Sequence, residues 1–220
     1  MAPAQTAPSV RLYDYSASGN CYKARLLLAL LERPYERVPV DIFAGETLTP
    51  EFGALNPARE TPVLELDDGQ VIVESNAILW YLAEGSAFLP ADPLSRARVV
   101  QWLTFEQELI MGGAGAARFL LVTKRFPEVA QERLGRGRRG LKLLAAHLED
   151  RAFVVDEVPT IADLSLFAYT HVAPDAGLEL TPPLERWIAR IEGLPGFMND
   201  FVPYPENARA GASRSIYDVR

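Results

Sequence analysis

The order in which hydrophobic spacing changes along residues 10–83 constrains this chain more than any other feature of it. Val10–Tyr15 is an apolar run of strand length. Tyr22–Glu32 is rich in helix formers, Ala24-Arg25-Leu26-Leu27-Leu28-Ala29-Leu30-Leu31, and stops before Pro34. Tyr35–Val40 alternates again. Thr49-Pro50-Glu51-Phe52 reads as a helix start, with Thr49 as N-cap and Pro50 at the first helical position. Pro62–Leu66 and Gln70–Val73 flank Asp67-Asp68-Gly69, a turn rich in residues that tolerate positive φ, and so predict a hairpin. Ser75 then reads as the cap of a helix over Asn76–Ala83. The order is β-α-β-α-β-β-α.

A βαβ unit with a hairpin and a helix after it is the thioredoxin-like pattern. The C-terminal part of the chain differs in kind. Residues 85–93 have linker composition, and beyond them no strand pair is evident. Leu94–Val122 and Glu128–Leu148 have helical length, Thr160-Ile161-Ala162-Asp163 is a capping box opening a third helix, and Pro183–Glu192 forms a fourth. Three glycines in Arg133–Gly140 argue against an unbroken helix there, and its arginines read as a solvated face. The segment Pro195–Pro205 is dense in aromatics and prolines and is expected to pack. The expected organisation is therefore a disordered arm at 1–9, a thioredoxin-like domain at 10–84, a linker at 85–93, and an all-helical domain with a C-terminal tail at 94–220.

Charge and cysteine content narrow the function. The formal net charge is −7, with 6 Lys/Arg against 12 Asp/Glu in residues 1–85, which disfavours nucleic acid as a partner. No apolar run approaches a membrane span, the N-terminus lacks the pattern of a signal peptide, and a lone cysteine fits a cytoplasmic protein. His147 and His171 are far apart in sequence with no accompanying ligands, so no metal is expected.

The chemistry is concentrated in the strand-to-helix turn Tyr15-Ser16-Ala17-Ser18-Gly19-Asn20-Cys21. A helix N-terminus carries unpaired N–H groups and a positive dipole end, and it favours an anion or a thiolate above it. In a thioredoxin-like fold a redox turn would be Cys-x-x-Cys. Here it is Ser18-x-x-Cys21, so dithiol exchange is not available. A serine hydroxyl can instead donate to a thiolate that arrives with a substrate. Taken alone, Ser18 reads as an N-cap more often than as a catalyst, and Cys21 reads as a small packing residue.

Several spaced motifs make the chain resemble the cytosolic glutathione transferases, most closely their serine-type theta-like and zeta-like classes. They are the Ser-containing turn leading into Arg25-Leu26-Leu27-Leu28, Leu55-Asn56-Pro57 leading to Thr61-Pro62-Val63-Leu64, Glu74-Ser75-Asn76-Ala77-Ile78, and Thr160–Asp163. The resemblance implies a homodimeric transferase of alkyl or aryl groups with a detoxification role, glutathione as co-substrate, and no other cofactor. It implies Ser18 as the thiolate donor, with Asn20, Ser16 and Cys21 as rivals. A cis Thr61-Pro62 bond would present the Thr61 backbone to glutathione, and Glu74 and Ser75 would bind the γ-glutamyl end. Thr47 falls where relatives carry a basic residue for the glycyl carboxylate, so either Arg59 or Arg11 substitutes or glutathione binds more weakly than in those relatives. The pocket for a small apolar electrophile is expected from Ser16, Phe43, Phe105, Ile110, Met111 and Ala114. Two alternatives stay open: a non-catalytic glutathione-binding or protein-interaction module of the same fold, and a thiol transferase working through Cys21.

Overall fold

The computed structural model describes residues 10–218; the arm expected at 1–9 lies outside the described residues. The first strand, β1 (Val10–Asp14), buries Val10, Leu12 and Asp14 on alternate positions. It runs parallel to β2 (Tyr35–Pro39), with Val10 opposite Tyr35 and Asp14 opposite Pro39. It also pairs antiparallel with β3 (Val63–Glu65), which forms the expected hairpin with β4 (Val71–Val73). The sheet order is β2-β1-β3-β4, a mixed thioredoxin-like sheet.

Helix α1 (Gly19–Leu30) connects β1 to β2, and α2 (Pro50–Leu55) and α3 (Ser75–Ala83) complete this layer. Thr49 caps α2 as expected, its hydroxyl accepting the Phe52 N–H at 3.2 Å. Two boundaries differ from expectation. Helix α1 starts at Gly19 rather than Tyr22, because Ser18, in extended conformation, caps it and the next three residues are already helical. Ser75 is the first residue of α3, and Glu74 occupies the cap position at φ +70° without a side-chain capping bond.

The rest is helical: α4 (Pro93–Phe105), a π-helical stretch over Glu106–Gly115, α5 (Ala116–Val122), α6 (Pro127–His147), α7 (Ile161–Thr170) and α8 (Pro182–Glu192). The expected helix at 94–122 thus contains a π-helical middle. The glycines of α6 do not break it. A Cβ on Gly113 would sit 2.6 Å from the Gly137 backbone nitrogen, and one on Gly140 would sit 2.9 Å from the Leu109 carbonyl oxygen. They therefore let α6 and the π-helical stretch approach backbone to backbone, which offsets the cost of glycine in a helix.

Helix α7 is the buried hub of this layer. Its capping box is complete, and Asp163 also accepts the Val154 N–H and the Trp187 indole N–H at 2.9 and 3.0 Å. Helix α1 packs on α3 on one side and on α7 on the other, so the two layers share one hydrophobic core. The C-terminal tail packs as well, with the Tyr22 hydroxyl donating to the Met198 carbonyl at 2.8 Å.

Candidate functional site

A pocket of about 270 Å³ opens above the N-terminus of α1, between the sheet layer and the helices. Ser18 and Asn20 from the turn line it, with Thr47, Arg59 and Thr61 from the loops beside the sheet and Met111 from the π-helical stretch.

At the turn, both readings of Ser18 hold together. Its Oγ accepts the Cys21 N–H at 3.3 Å, a capping bond that uses an oxygen lone pair. The hydroxyl proton is not consumed by that bond and can be donated to a ligand in the pocket. Cys21 is fully buried, and its sulfur accepts the Tyr15 N–H at 3.3 Å. Burial first, then the Asp14 charge, push the thiol up to about 11, against the lowering effect of hydrogen bonds from Thr61, Tyr15 and Ser18. The Cys21 thiol is therefore protonated near pH 7.

Asn20 is fixed by a chain of polar contacts. Lys23 Nζ donates to Ser75 Oγ at 3.3 Å, and Ser75 Oγ donates to Asn20 Oδ1 at 3.2 Å. Lysine can only donate, so the serine proton goes to the asparagine oxygen, and the Asn20 amide N–H groups are left for the pocket. Lys23 also pairs with Glu106 at 3.0 Å, both side chains fully buried. The Ser75 hydroxyl, expected to meet a γ-glutamyl carboxylate, is thus already engaged. Its contribution to a ligand would come through the α3 N-terminus and through Asn20.

The Thr61-Pro62 peptide is cis, and among the described residues neither backbone group of Thr61 is paired. Thr47 is buried, and its Oγ1 has no protein partner. Its carbonyl accepts Arg59 Nη1 at 2.9 Å, and the same nitrogen donates to the Thr49 carbonyl at 2.8 Å. Arg59 therefore stands at the pocket beside Thr47. Arg11 does not; it pairs with Glu36 and Glu65 on the sheet, at 3.3 and 2.9 Å. Glu74, Ser75 and Pro62 flank the cavity without lining it.

Of the residues expected to form an electrophile pocket, Met111 lines this cavity and five do not. Ile110 and Ala114 lie on the opposite face of the same helical stretch, packed against Gly140 and Gly137 of α6. Phe105 packs on Trp102 with ring centroids 5.0 Å apart. Phe43 is buried behind Tyr15, at 5.6 Å. Ser16 points into an ionic cluster, its hydroxyl accepting Arg37 Nη2 at 2.8 Å beside Asp14, Arg25 and Asp200.

The walls of this cavity come from Gly115 and Phe119 on the Met111 face, from Tyr15 at the end of β1, from Tyr169 of α7, and from Tyr204, Ile216 and Tyr217 of the tail. Tyr15 and Tyr169 are nine-tenths buried, and the Tyr15 hydroxyl has no protein partner. Tyr169 fits because its neighbours are glycines. A Cβ on Gly19 or on Gly115 would come within 2.5 or 2.6 Å of its ring. Burial raises the pKa of Tyr15, Tyr169 and Tyr204, so these hydroxyls are neutral donors near pH 7. The one sequence signal for Phe119 was its spacing of eight from Met111, two turns along one helical face; nothing local marks Tyr169 or the tail residues.

Among the described residues, no group of His, Cys, Asp and Glu is placed to hold a metal, and no helix is long and apolar enough to cross a membrane. His147 Nε2 lies 3.0 Å from the Val154 carbonyl and His171 Nδ1 lies 2.7 Å from the Phe167 carbonyl, so both rings are engaged in packing contacts.

Comparison with known proteins gives a consistent result. Residues 17–84 match the family model for the glutathione S-transferase N-terminal domain, and residues 111–195 match that for the C-terminal domain. The chain is 32% identical to a maleylacetoacetate isomerase of Rhizobium meliloti (strain 1021), covering 90% of this chain and 97% of that protein. It is 33% identical to elongation factor 1-gamma of Equus caballus over 84% of its own length, but it spans only 45% of that protein. Among solved structures, it is 41% identical to a possible glutathione S-transferase from Rhodopseudomonas palustris, with a TM-score of 0.81 over 88% of this chain and 99% of that one. A glutathione S-transferase from Pseudomonas fluorescens gives 41% identity and a TM-score of 0.83 over 87% and 98%.

Proposed function

The chain belongs to the glutathione S-transferase family, and on that premise we propose that it is an enzyme that activates the glutathione thiol for attack on an apolar or aromatic electrophile. The observation that carries this reading is the placement of Ser18: its oxygen caps α1 at the edge of the pocket through a bond that does not use its proton, and Asn20 is held beside it with its amide N–H groups turned from the Ser75 contact. A free thiol with a pKa of about 8.5 is only about 3% thiolate at pH 7. Two donors at a helix N-terminus that lower this by roughly 2 units, or about 2.7 kcal/mol, raise the fraction to about three quarters.

The remaining roles complete this reading. The Thr61 backbone pairs with the cysteinyl unit, the α3 N-terminus with Ser75 and Glu74 takes the γ-glutamyl end, and Arg59 takes the glycyl carboxylate that Thr47 is too short to reach. The electrophile sits among Met111, Phe119 and the tyrosines. Addition of the thiolate also serves isomerisation, the activity named for the Rhizobium meliloti relative. Homodimer formation belongs to this reading; Tyr81, Leu94 and Val100 expose apolar surface on α3 and α4 that a second copy would cover.

Ser18→Ala is expected to remove most conjugation of dinitrochlorobenzene while leaving glutathione affinity within about threefold, because the lost contact is to the sulfur in its reactive state. Unchanged turnover would remove Ser18 from the mechanism. The similarity to elongation factor 1-gamma favours a second reading, a non-catalytic module of the same fold. It requires that no electrophile in a broad panel reacts faster with the protein present than with glutathione alone. A thiol transferase acting through Cys21 has no support in the turn, since that thiol is buried and held protonated.

A further inference from the structure

After α8 the chain crosses back over both layers and is pinned at several points. Asp200 pairs with Arg25 at 2.9 Å, Asn207 Nδ2 donates to Asp41 at 3.0 Å, the Ala210 N–H donates to the Thr123 carbonyl at 2.9 Å, and the Arg214 N–H donates to the Phe43 carbonyl at 2.8 Å. The densest anchor is Arg125, just beyond the end of α5. Its side chain is 3% exposed, and it lies against the rings of Phe43 and Phe119, 5.5 and 5.7 Å from their centroids. It donates to the Ala208 carbonyl, to the Ser213 hydroxyl, and to the Asp218 carboxylate at 2.9 Å. Asp218 in turn accepts the Ser213 hydroxyl, and the Ser215 N–H and hydroxyl at 3.1 and 2.5 Å. Between Ser215 and Asp218 stand Ile216 and Tyr217, which line the pocket, with the Tyr217 ring 4.8 Å from Phe119.

A guanidinium taken out of water holds its geometry only when its donors are met by fixed acceptors, and here nearly all of those acceptors belong to the tail. We propose that Arg125 is a positioning residue for electrophile specificity: through Asp218 it holds Ile216 and Tyr217 as the outer wall of the pocket, where Tyr217 and Phe119 together form an aromatic face that selects flat aromatic electrophiles over small aliphatic ones. The proposal rests on the transferase reading of the same pocket. The arginine does not line the pocket; it acts by fixing the wall.

The test compares two electrophiles, dinitrochlorobenzene and iodomethane, in Asp218→Asn and Tyr217→Ala. The KM for the aryl halide is expected to rise about tenfold in each variant, and in Asp218→Asn its kcat, the glutathione KM and the rate with iodomethane change by less than about twofold. An equal fall with both electrophiles, or no change with either, overturns the proposal. If Asp218→Asn does not fold by circular dichroism, Tyr217→Ala decides on the same comparison. If the unmodified protein turns over neither electrophile, the transferase reading fails and calorimetric binding decides the latch. Weaker binding of S-(dinitrophenyl)glutathione by Asp218→Asn, with glutathione binding unchanged, supports it; equal binding of the conjugate by both proteins overturns it.

Discussion

Lys23 Nζ lies 3.0 Å from Glu106 Oε1, and neither side chain has any exposure to solvent. The pair joins α1 to the π-helical stretch directly beneath the reactive turn. Desolvation lowers the lysine pKa and the Glu106 carboxylate works against it. Asn76 and Gln107 donate to the same carboxylate at 3.2 and 2.9 Å, and Ser165 of α7 donates to Asn76 at 2.7 Å. Removing one partner leaves a buried charge alone, which costs about 3–5 kcal/mol, whereas replacing both by apolar groups of similar volume is often neutral. Glu106→Gln is therefore expected to lower Tm by about 6–20 °C at roughly 2–4 °C per kcal/mol for a chain of this size, and Lys23→Met with Glu106→Leu to recover most of it. Thermal unfolding of the single and double variants checks this; a single variant within about 1 °C of the parent would show that the pair carries no load.

Gly19 and Gly115 grip the Tyr169 ring from α1 and from the π-helical stretch. Alanine at either position forces the ring to move, at a cost of about 1–3 kcal/mol, and disturbs the pocket floor. Gly135 in α6 is the control, being exposed with open space around it. Gly135→Ala is expected to stabilise by about 0.5–1 kcal/mol. Urea unfolding of the three variants should place two below the parent and one above it.

Among the described residues, Arg59 is the one basic side chain lining the pocket. A charge-assisted hydrogen bond contributes about 1.5–3 kcal/mol, so Arg59→Ala is expected to raise the glutathione KM by roughly 10- to 100-fold. Arg11→Ala, which removes ion pairs with Glu36 and Glu65, should leave it unchanged. Initial-rate kinetics in glutathione separates the two.

Asp218 gives the tail a pH dependence. Burial works to raise its pKa, but the Ser213 and Ser215 hydroxyls and the Arg125 guanidinium outweigh it and hold the carboxyl at about 2. A folded-state pKa below the unfolded value means that the unfolded chain binds more protons in acid. The contribution is complete above about pH 4 and is lost as pH falls from there toward about 2. Stability measured in urea across that window should fall more steeply for the parent than for Asp218→Asn.

The sequence was most informative where structure is local. The β-α-β-α-β-β-α order, the caps at Thr49 and Thr160, the hairpin at Asp67–Gly69 and the turn at Ser18 each depend on residues within a few positions of one another. The small errors have local causes too. Glu74 takes a left-handed cap without using its side chain, and the glycines of α6 serve a partner helix that no single-helix propensity can register.

At the site, the sequence by itself determined the make-up of the turn: a serine where a redox protein has cysteine, a helix N-terminus at that serine, and the motifs of the glutathione S-transferase family around it. Only the tertiary structure decided the rest. It set which face of 106–119 meets the pocket, because the helix's other face is claimed by close packing on Gly137 and Gly140. It placed Arg59 at the pocket and kept Arg11 away from it, because Arg11 is tied to Glu36 and Glu65 across the sheet. It brought Tyr169 and the tail to the Ser18 turn from about 150 to 200 residues away. Contacts that distant form only when burial of a shared core has offset the entropy of closing the chain between them, and a local pattern carries no record of that balance.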